Sequence, residues 1–213
     1  MQINNENISQ IIGNLGLDSA VLLVIDIQND FCHDQGAFSR MGVDLSYIQG
    51  MIPKLKNFIE EIRSTSIPII FVKNVYDSWT LSEGLVNFKR IRGKEVKMCE
   101  EGKWGSDFFE IRPDLERSER IVIKHRYSAF RDTQLDLILR SIGRDILILS
   151  GVTTNVCVET TARDGFMRDY RIIVLEDCTA ATSIQEHEAA LFNIRNYFGF
   201  VARSKDIISR LTA

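Results

Sequence analysis

Ile146-Leu147-Ile148-Leu149-Ser150-Gly151-Val152-Thr153-Thr154-Asn155-Val156-Cys157 is the stretch on which the reading of the fold turns. Its opening residues form an unbroken apolar run, as in a strand buried on both faces, and a helix-like segment follows over Val158 to Asp169. Strand passing directly to helix is the unit from which parallel sheets are built. A thiol, Cys157, stands where the two meet. The free N–H groups and positive dipole end of a helix would favour its thiolate, the species that attacks carbonyl carbon.

Two other apolar runs end at an ionisable side chain. Val21-Leu22-Leu23-Val24-Ile25 delivers Asp26, and Ile121-Val122-Ile123 delivers Lys124. As neighbouring parallel strands, the three runs would bring Asp26, Lys124 and Cys157 to the carboxyl edge of one sheet, where ligand crevices form in open α/β folds. Each has an ordinary explanation taken singly: a strand-end turn former, a solvated charge, a small core residue. Together, at equivalent positions, they point to a catalytic acid, cation and nucleophile.

Working outward, strand-like runs at 20 to 25, 67 to 72, 120 to 124, 145 to 150, 171 to 175 and 199 to 202 alternate with amphipathic segments. This rhythm predicts an α/β fold of three layers, a mostly parallel six-stranded sheet with helices on both faces, Rossmann-like in arrangement. Ile48, Ile52, Leu55, Phe58, Ile59 and Ile62 recur as one buried helix face, with Asp44 able to cap its start. Thr133 would cap a second helix carrying Leu135, Ile138 and Leu139, with Gly143 just past its end. A further helix is expected over 184 to 197, and a short closing one over 205 to 211.

The beat is interrupted at 74 to 119, which holds Trp79, Trp104, several glycines and many charges without sustained periodicity. Because this long excursion leaves a strand's carboxyl end, it could wall or cover the crevice, or serve as a subunit contact.

The chain has 213 residues, 45% hydrophobic and 26% charged, with a formal charge of −3. One domain over 1–213 is expected. So small a net charge asks for neither nucleic acid nor an anionic membrane as partner, and no apolar run is long enough to span a bilayer. Cys32, Cys99, Cys157 and Cys178 show no metal-like or disulfide-framework spacing, and the first residues lack a signal-peptide pattern. The expectation is a cytoplasmic protein with free thiols. His33 and His187 stand isolated, as surface or packing residues.

Val24-Ile25-Asp26-Ile27-Gln28-Asn29-Asp30-Phe31, the strand ending in Lys124, and Gly151-Val152-Thr153-Thr154-Asn155-Val156-Cys157-Val158 resemble, in order, the three motifs of the isochorismatase-like cysteine hydrolases. The resemblance spans roughly 18 to 204. It implies that Asp26 shuttles protons, Lys124 supports the charges of thiolate and carboxylate, and Cys157 is the nucleophile. It also implies a cis peptide at Val152-Thr153 and an oxyanion hole formed by the Thr153 and Cys157 N–H groups. Isochorismatase proper cleaves a vinyl ether without a nucleophilic cysteine, so Cys157 argues for the amidohydrolase branch.

A closer likeness is to the ureidoacrylate amidohydrolases, seen in Lys124-His125-Arg126-Tyr127-Ser128-Ala129-Phe130, in Thr154 to Phe166, and in Ala190-Leu191-Phe192-Asn193-Ile194. That likeness implies Asn74, Tyr76 and Tyr127 as ureide-binding residues, with Tyr76 replacing an expected tryptophan. The histidines with which nicotinamidases hold a metal are missing after the second strand, so no metal or other cofactor is expected. The family resemblance further implies a homodimer or homotetramer. The expected activity is metal-independent cleavage of a C–N bond in a small ureido, carbamoyl or amide substrate. Biuret and N-carbamoyl amino acids stand as alternative substrates, and a catalytically silent binding or scaffold protein as the alternative of another class.

Overall fold

In the computed structural model, which describes residues 16–91, 93 and 97–211, six parallel strands form one sheet in the order β3-β2-β1-β4-β5-β6. They are β1 (Ala20–Ile25), β2 (Ile69–Asn74), β3 (Arg120–Lys124), β4 (Ile146–Val152), β5 (Arg171–Ala180) and β6 (Phe200–Ala202). Every residue of β1 and β4 is buried, because these central strands carry helices over both faces. The order reverses beside β1, and the crevice opens at that switch point.

Alternation along the strands sorts the core into two layers. Leu22, Val24, Phe71, Ile146 and Ile148 face α1 (Ser46–Ile62), whose Ile48, Ile52, Leu55, Phe58, Ile59 and Ile62 are buried as one stripe. The helix α2 (Glu83–Ile91) follows β2. On the other face, Val21, Leu23, Ile25, Leu147 and Leu149 meet α3 (Leu135–Ser141), α4 (Glu159–Phe166) and α5 (Ile184–Asn193). The last helix, α6 (Ser204–Leu211), returns to the α1 side through Ile207. The expected α/β architecture, with helices on both faces, is the observed one.

The helix starts use the anticipated side chains. Asp44 Oδ1 accepts the Ser46 N–H at 2.8 Å, and Thr133 Oγ1 accepts that of Leu135 at 3.1 Å. Gly143 adopts φ +65° just past α3, where the Arg144 N–H closes onto the Leu139 carbonyl.

Boundaries moved where polarity hid the backbone pattern. The run expected at 67 to 72 is a strand over Ile69–Asn74, and the one expected at 171 to 175 continues to Ala180. Lys73-Asn74 and Glu176-Asp177 ended the apolar signal, but the ladder continues through the first pair, and past the second β5 rejoins β4 at Thr179 and Ala180 after a register shift. The helix expected over 184 to 197 is α-helical only to Asn193 and then widens into a π-turn over Ile194–Phe198. The 74 to 119 excursion contains α2, whose flanks are largely exposed and therefore carried little hydrophobic rhythm.

Candidate active site

The crevice at the switch point is a cavity of about 740 Å³ whose lining includes Asp26, Asn74, Tyr76, Tyr127, Val152, Thr153 and Cys157. Lys124 lies fully buried beneath it. Its Nζ is 2.8 Å from Asp26 Oδ2 and 3.4 Å from Cys157 Sγ, and it donates to the Arg126 carbonyl at 3.1 Å. Carboxylate, ammonium and sulfur, separated by 131 residues in the chain, meet within one contact shell.

They do so by a route different from the simplest expectation. β3 is not a neighbour of β1: β2 lies between them, with Asn74 in register with Lys124. Two strand spacings are about 10 Å, a gap that only a long side chain closes. Lys124 crosses the end of β2 to reach Asp26. The aspartate turns towards it from a left-handed backbone, φ +54°, a conformation that aspartate tolerates better than most residues.

The ionisation of the three groups is set mainly by burial. Burial pushes the Asp26 carboxyl up, against the opposing pull of the Lys124 charge. Burial alone would lower Lys124, but the negative charges of Asp26 and Cys157 outweigh it and hold the ammonium above its ordinary value. The Cys157 thiol is pushed up to about 12 by burial, with Lys124 opposing and Asp26 adding to the rise. The two Asp26 oxygens lack a partner of good hydrogen-bond geometry, so the contact with Lys124 is an ion pair rather than an aligned hydrogen bond.

Cys157 lies in the π-turn Thr154–Val158, which runs directly into α4 at Glu159, so the thiol stands in the first turn of a helical segment as expected, while burial opposes its ionisation. Burial raises both the Cys157 thiol and the neighbouring Asp26 carboxyl, an arrangement matched for transfer of a proton from one to the other.

The nucleophile turn is anchored from several sides. The Val152–Thr153 peptide is cis. The Thr153 carbonyl accepts the N–H groups of Val156 and Val158, and the Cys157 N–H is not one of that pair. Thr161 Oγ1 donates to the Cys157 carbonyl at 2.7 Å and accepts the Ala129 N–H at 3.0 Å, tying this turn to the loop after Lys124. Thr154 Oγ1 pairs with His187 Nδ1 at 2.9 Å, and the ring of His187 packs edge-on against Tyr47. His33 packs against Trp104 and Phe109. Both histidines are packing residues, as expected.

Of the expected ureide-binding residues, Asn74 is buried and its Oδ1 has no hydrogen-bond partner among the described residues. Tyr76 is buried as well, and burial, opposed by a hydrogen bond to Asn74, raises its hydroxyl to about 12. Tyr127 is partly exposed on the cavity wall. The 74 to 119 excursion contributes Phe88, Gly93 and Met98 to the same wall. Among the described residues, no three His, Cys, Asp or Glu side chains are grouped to hold a metal ion.

Two organising residues carried no chemical signal in the sequence. Gln28 is fully buried: its Nε2 donates to the carbonyls of Asn74 and Ser106, at 2.9 and 2.8 Å, and its Oε1 accepts the Asn74 N–H at 2.8 Å. Asp30 accepts the N–H groups of Ala37 and Cys99, and a Cβ on Gly105 would fall onto its carboxylate. A polar residue two or four places after Asp26 is recognisable only once its partners are known. Gln28→Leu would leave these Asn74 and Ser106 backbone groups without their partner, and is expected to cost about 2–4 kcal/mol in urea unfolding. A loss under about 0.5 kcal/mol, the range of an indifferent substitution, would refute that role.

The parallel sheet, the switch-point cavity and the buried carboxylate, ammonium and thiol define a site of the cysteine-hydrolase class, and the chain belongs to the isochorismatase family, whose domain matches residues 20–206. It is similar to the ureidoacrylate amidohydrolase RutB of Serratia proteamaculans (strain 568), 34% identical over 206 residues, which are 90% of this chain and 82% of that protein. Among solved structures, N-carbamoylsarcosine amidase from Thermoplasma acidophilum is 32% identical, with a TM-score of 0.67 over 87% of this chain and 96% of that one. An isochorismatase-like hydrolase from Alkaliphilus metalliredigens is 30% identical, with a TM-score of 0.72 over 89% and 97%.

Proposed function

We propose that this chain is a metal-independent cysteine amidohydrolase that cleaves a C–N bond of a ureido or carbamoyl substrate, with a ureidoacrylate-like compound favoured. The observation that carries the reading is Lys124 Nζ lying 2.8 Å from Asp26 and 3.4 Å from Cys157 at the cavity floor. Similarity to the Serratia ureidoacrylate amidohydrolase supports the ureide, and similarity to N-carbamoylsarcosine amidase supports a carbamoyl amino acid as the second substrate reading.

Cys157 gives its proton to Asp26 as Sγ attacks the carbonyl carbon, while the Lys124 charge holds the negative charge that moves between them. The Thr153 and Cys157 N–H groups receive the developing oxyanion. Asp26 then protonates the departing nitrogen, the C–N bond breaks, and a carbamoyl- or acyl-thioester remains on Cys157. Asp26 next takes a proton from water, whose oxygen attacks the thioester, and the thiol is restored. The unpartnered Oδ1 of Asn74 accepts an N–H of the ureide, with Tyr76 and Tyr127 flanking it.

The working unit in this reading is one hydrolase domain over 1–213, with 74–119 forming part of the cavity wall, assembled as a homodimer or homotetramer in the cytoplasm. Among the described residues no helix is long and apolar enough to cross a membrane.

Ammonia release from a panel of ureides, carbamoyl amino acids and primary amides tests the activity, counting ammonia freed directly and from decomposing carbamate. Turnover is expected with and without chelator, together with a carbamoyl or acyl mass increment on the Cys157 peptide after rapid quenching. Absence of turnover across the panel would favour a silent binding protein, and loss on chelation would refute the metal-free mechanism.

A further inference from the structure

The catalytic groups and the ureide contacts occupy only the floor of the cavity. Above them Phe31, Phe38, Met41, Val43, Phe88 and Met98 form an apolar sleeve, with the Phe31 and Phe38 rings edge to face at 5.0 Å. A cavity of about 740 Å³ falls in the range that takes drug-sized ligands. A ureide with a two- or three-carbon substituent would leave most of this wall against water. That exposure is unfavourable by roughly 25 cal/mol for each Å² of apolar surface left wet.

Among the described residues that line the sleeve, one is a cation. Arg40 lies on its wall with a half-exposed side chain, its guanidinium donating to the Gln35 and Lys97 carbonyls. Arg40 also forms an ion pair with Asp30 at 3.6 Å, long for a charge-assisted hydrogen bond, because the Asp30 oxygens accept the N–H groups of Ala37 and Cys99. The acid on the same wall, Glu186, accepts from the hydroxyls of Thr182 and Ser183 and the Ser183–Glu186 pair closes the start of α5. On the floor, Asp26 and Lys124 offset each other's charge.

We propose that the substrate's substituent is an apolar body of aromatic size ending in a carboxylate, the body filling the sleeve and the carboxylate pairing with Arg40. This narrows the substrate class of the proposed amidohydrolase from ureidoacrylate itself, whose three-carbon acid would not fill the sleeve, to larger ureido acids, and it rests on that reading for the position of the scissile carbonyl. Arg40 is then a specificity-determining residue, distinct from the groups that make and break bonds. Planar guanidinium suits a carboxylate because two parallel N–H donors match its two oxygens.

Binding of uncleavable probes, measured by calorimetry, separates this inference from the hydrolase reading. 4-Phenylbutyrate is expected to bind at least about tenfold more tightly than propionate, and Arg40→Gln to weaken it about tenfold or more, the scale of one charge-assisted contact. The neutral 4-phenylbutanol should bind Arg40→Gln as it binds the parent. Phe88→Ala should weaken both phenyl compounds, which provides a second variant on an exposed residue whose loss spares the core. In ammonia release, 4-(ureidomethyl)benzoate should exceed the neutral N-benzylurea in kcat/KM by about tenfold, with the advantage reduced in Arg40→Gln. Propionate binding as tightly as phenylbutyrate, equal weakening of acid and alcohol by Arg40→Gln, or no binding of either phenyl compound would overturn the proposal. Turnover of small ureides alongside any of these results would leave the hydrolase standing and remove only the sleeve.

Discussion

Cys157→Ala is expected to lower turnover of the best ureide by about 10⁴-fold or more while leaving the thermal transition almost unchanged. The sulfur lies at the cavity floor, and its removal deletes the atom that would bond to the carbonyl carbon. No nearby group replaces it: Asp26 is held by Lys124, and Lys124 is kept as an ammonium without a lone pair. Stability should be spared because the change removes one small polarisable atom beside an opening. The remaining free cysteines give the control. Cys178 is buried away from the cavity with its thiol pushed up to about 12 by burial, so Cys178→Ala should retain the parent's rate apart from a packing cost. Single-turnover ammonia release on the two variants decides the matter. Comparable losses in both, or full activity in Cys157→Ala, would remove Cys157 from the role of nucleophile.

The largest effect on folding is expected at Gly151. It pairs with Ile25 across β1 and β4, with φ +106°, and a Cβ there would fall onto the Ile25 carbonyl oxygen. Both the backbone conformation and the space exclude a side chain. Gly151→Ala is expected to destabilise the fold by about 4 kcal/mol or more, enough to abolish soluble expression or a cooperative thermal transition. The same close approach brings the residue after Ile25, Asp26, beside the strand that leads to Cys157, and β4 shifts register against β5 between Leu149 and Gly151. Gly84, on α2 with open space where a Cβ would stand, is the matched control: Gly84→Ala should be neutral or slightly stabilising. A Gly151→Ala protein melting within a few degrees of the parent would show that β1 and β4 can separate at this edge without penalty.

Much of the site could be read from residue order. An apolar run that ends in Asp26, another in Lys124, and a third followed by Thr153-Thr154-Asn155-Val156-Cys157 suffice to place these side chains at the carboxyl edge, because parallel strands all end on the same side. Asn74, Tyr76 and Tyr127 were legible only through family likeness, and all three line the cavity. The environment of Cys157 was only half legible, since its place at a helix start can be inferred from position along the chain whereas the desolvation that raises the thiol depends on everything packed around it. Gln28, Asp30 and Arg40 escaped notice for a related reason: their partners are Asn74 and Ser106, Cys99, and Lys97, all distant in sequence.

By itself the amino-acid sequence determined the layered α/β architecture and the identities of acid, cation and thiol, because hydrophobic periodicity and strand ends are local properties of the chain. Tertiary structure alone decided that Lys124 reaches over β2 to Asp26, that burial pushes the thiol up, and that apolar side chains and Arg40 line the same cavity. Those outcomes depend on strand order and on exclusion of water, which arise only when segments far apart in the chain close around one another.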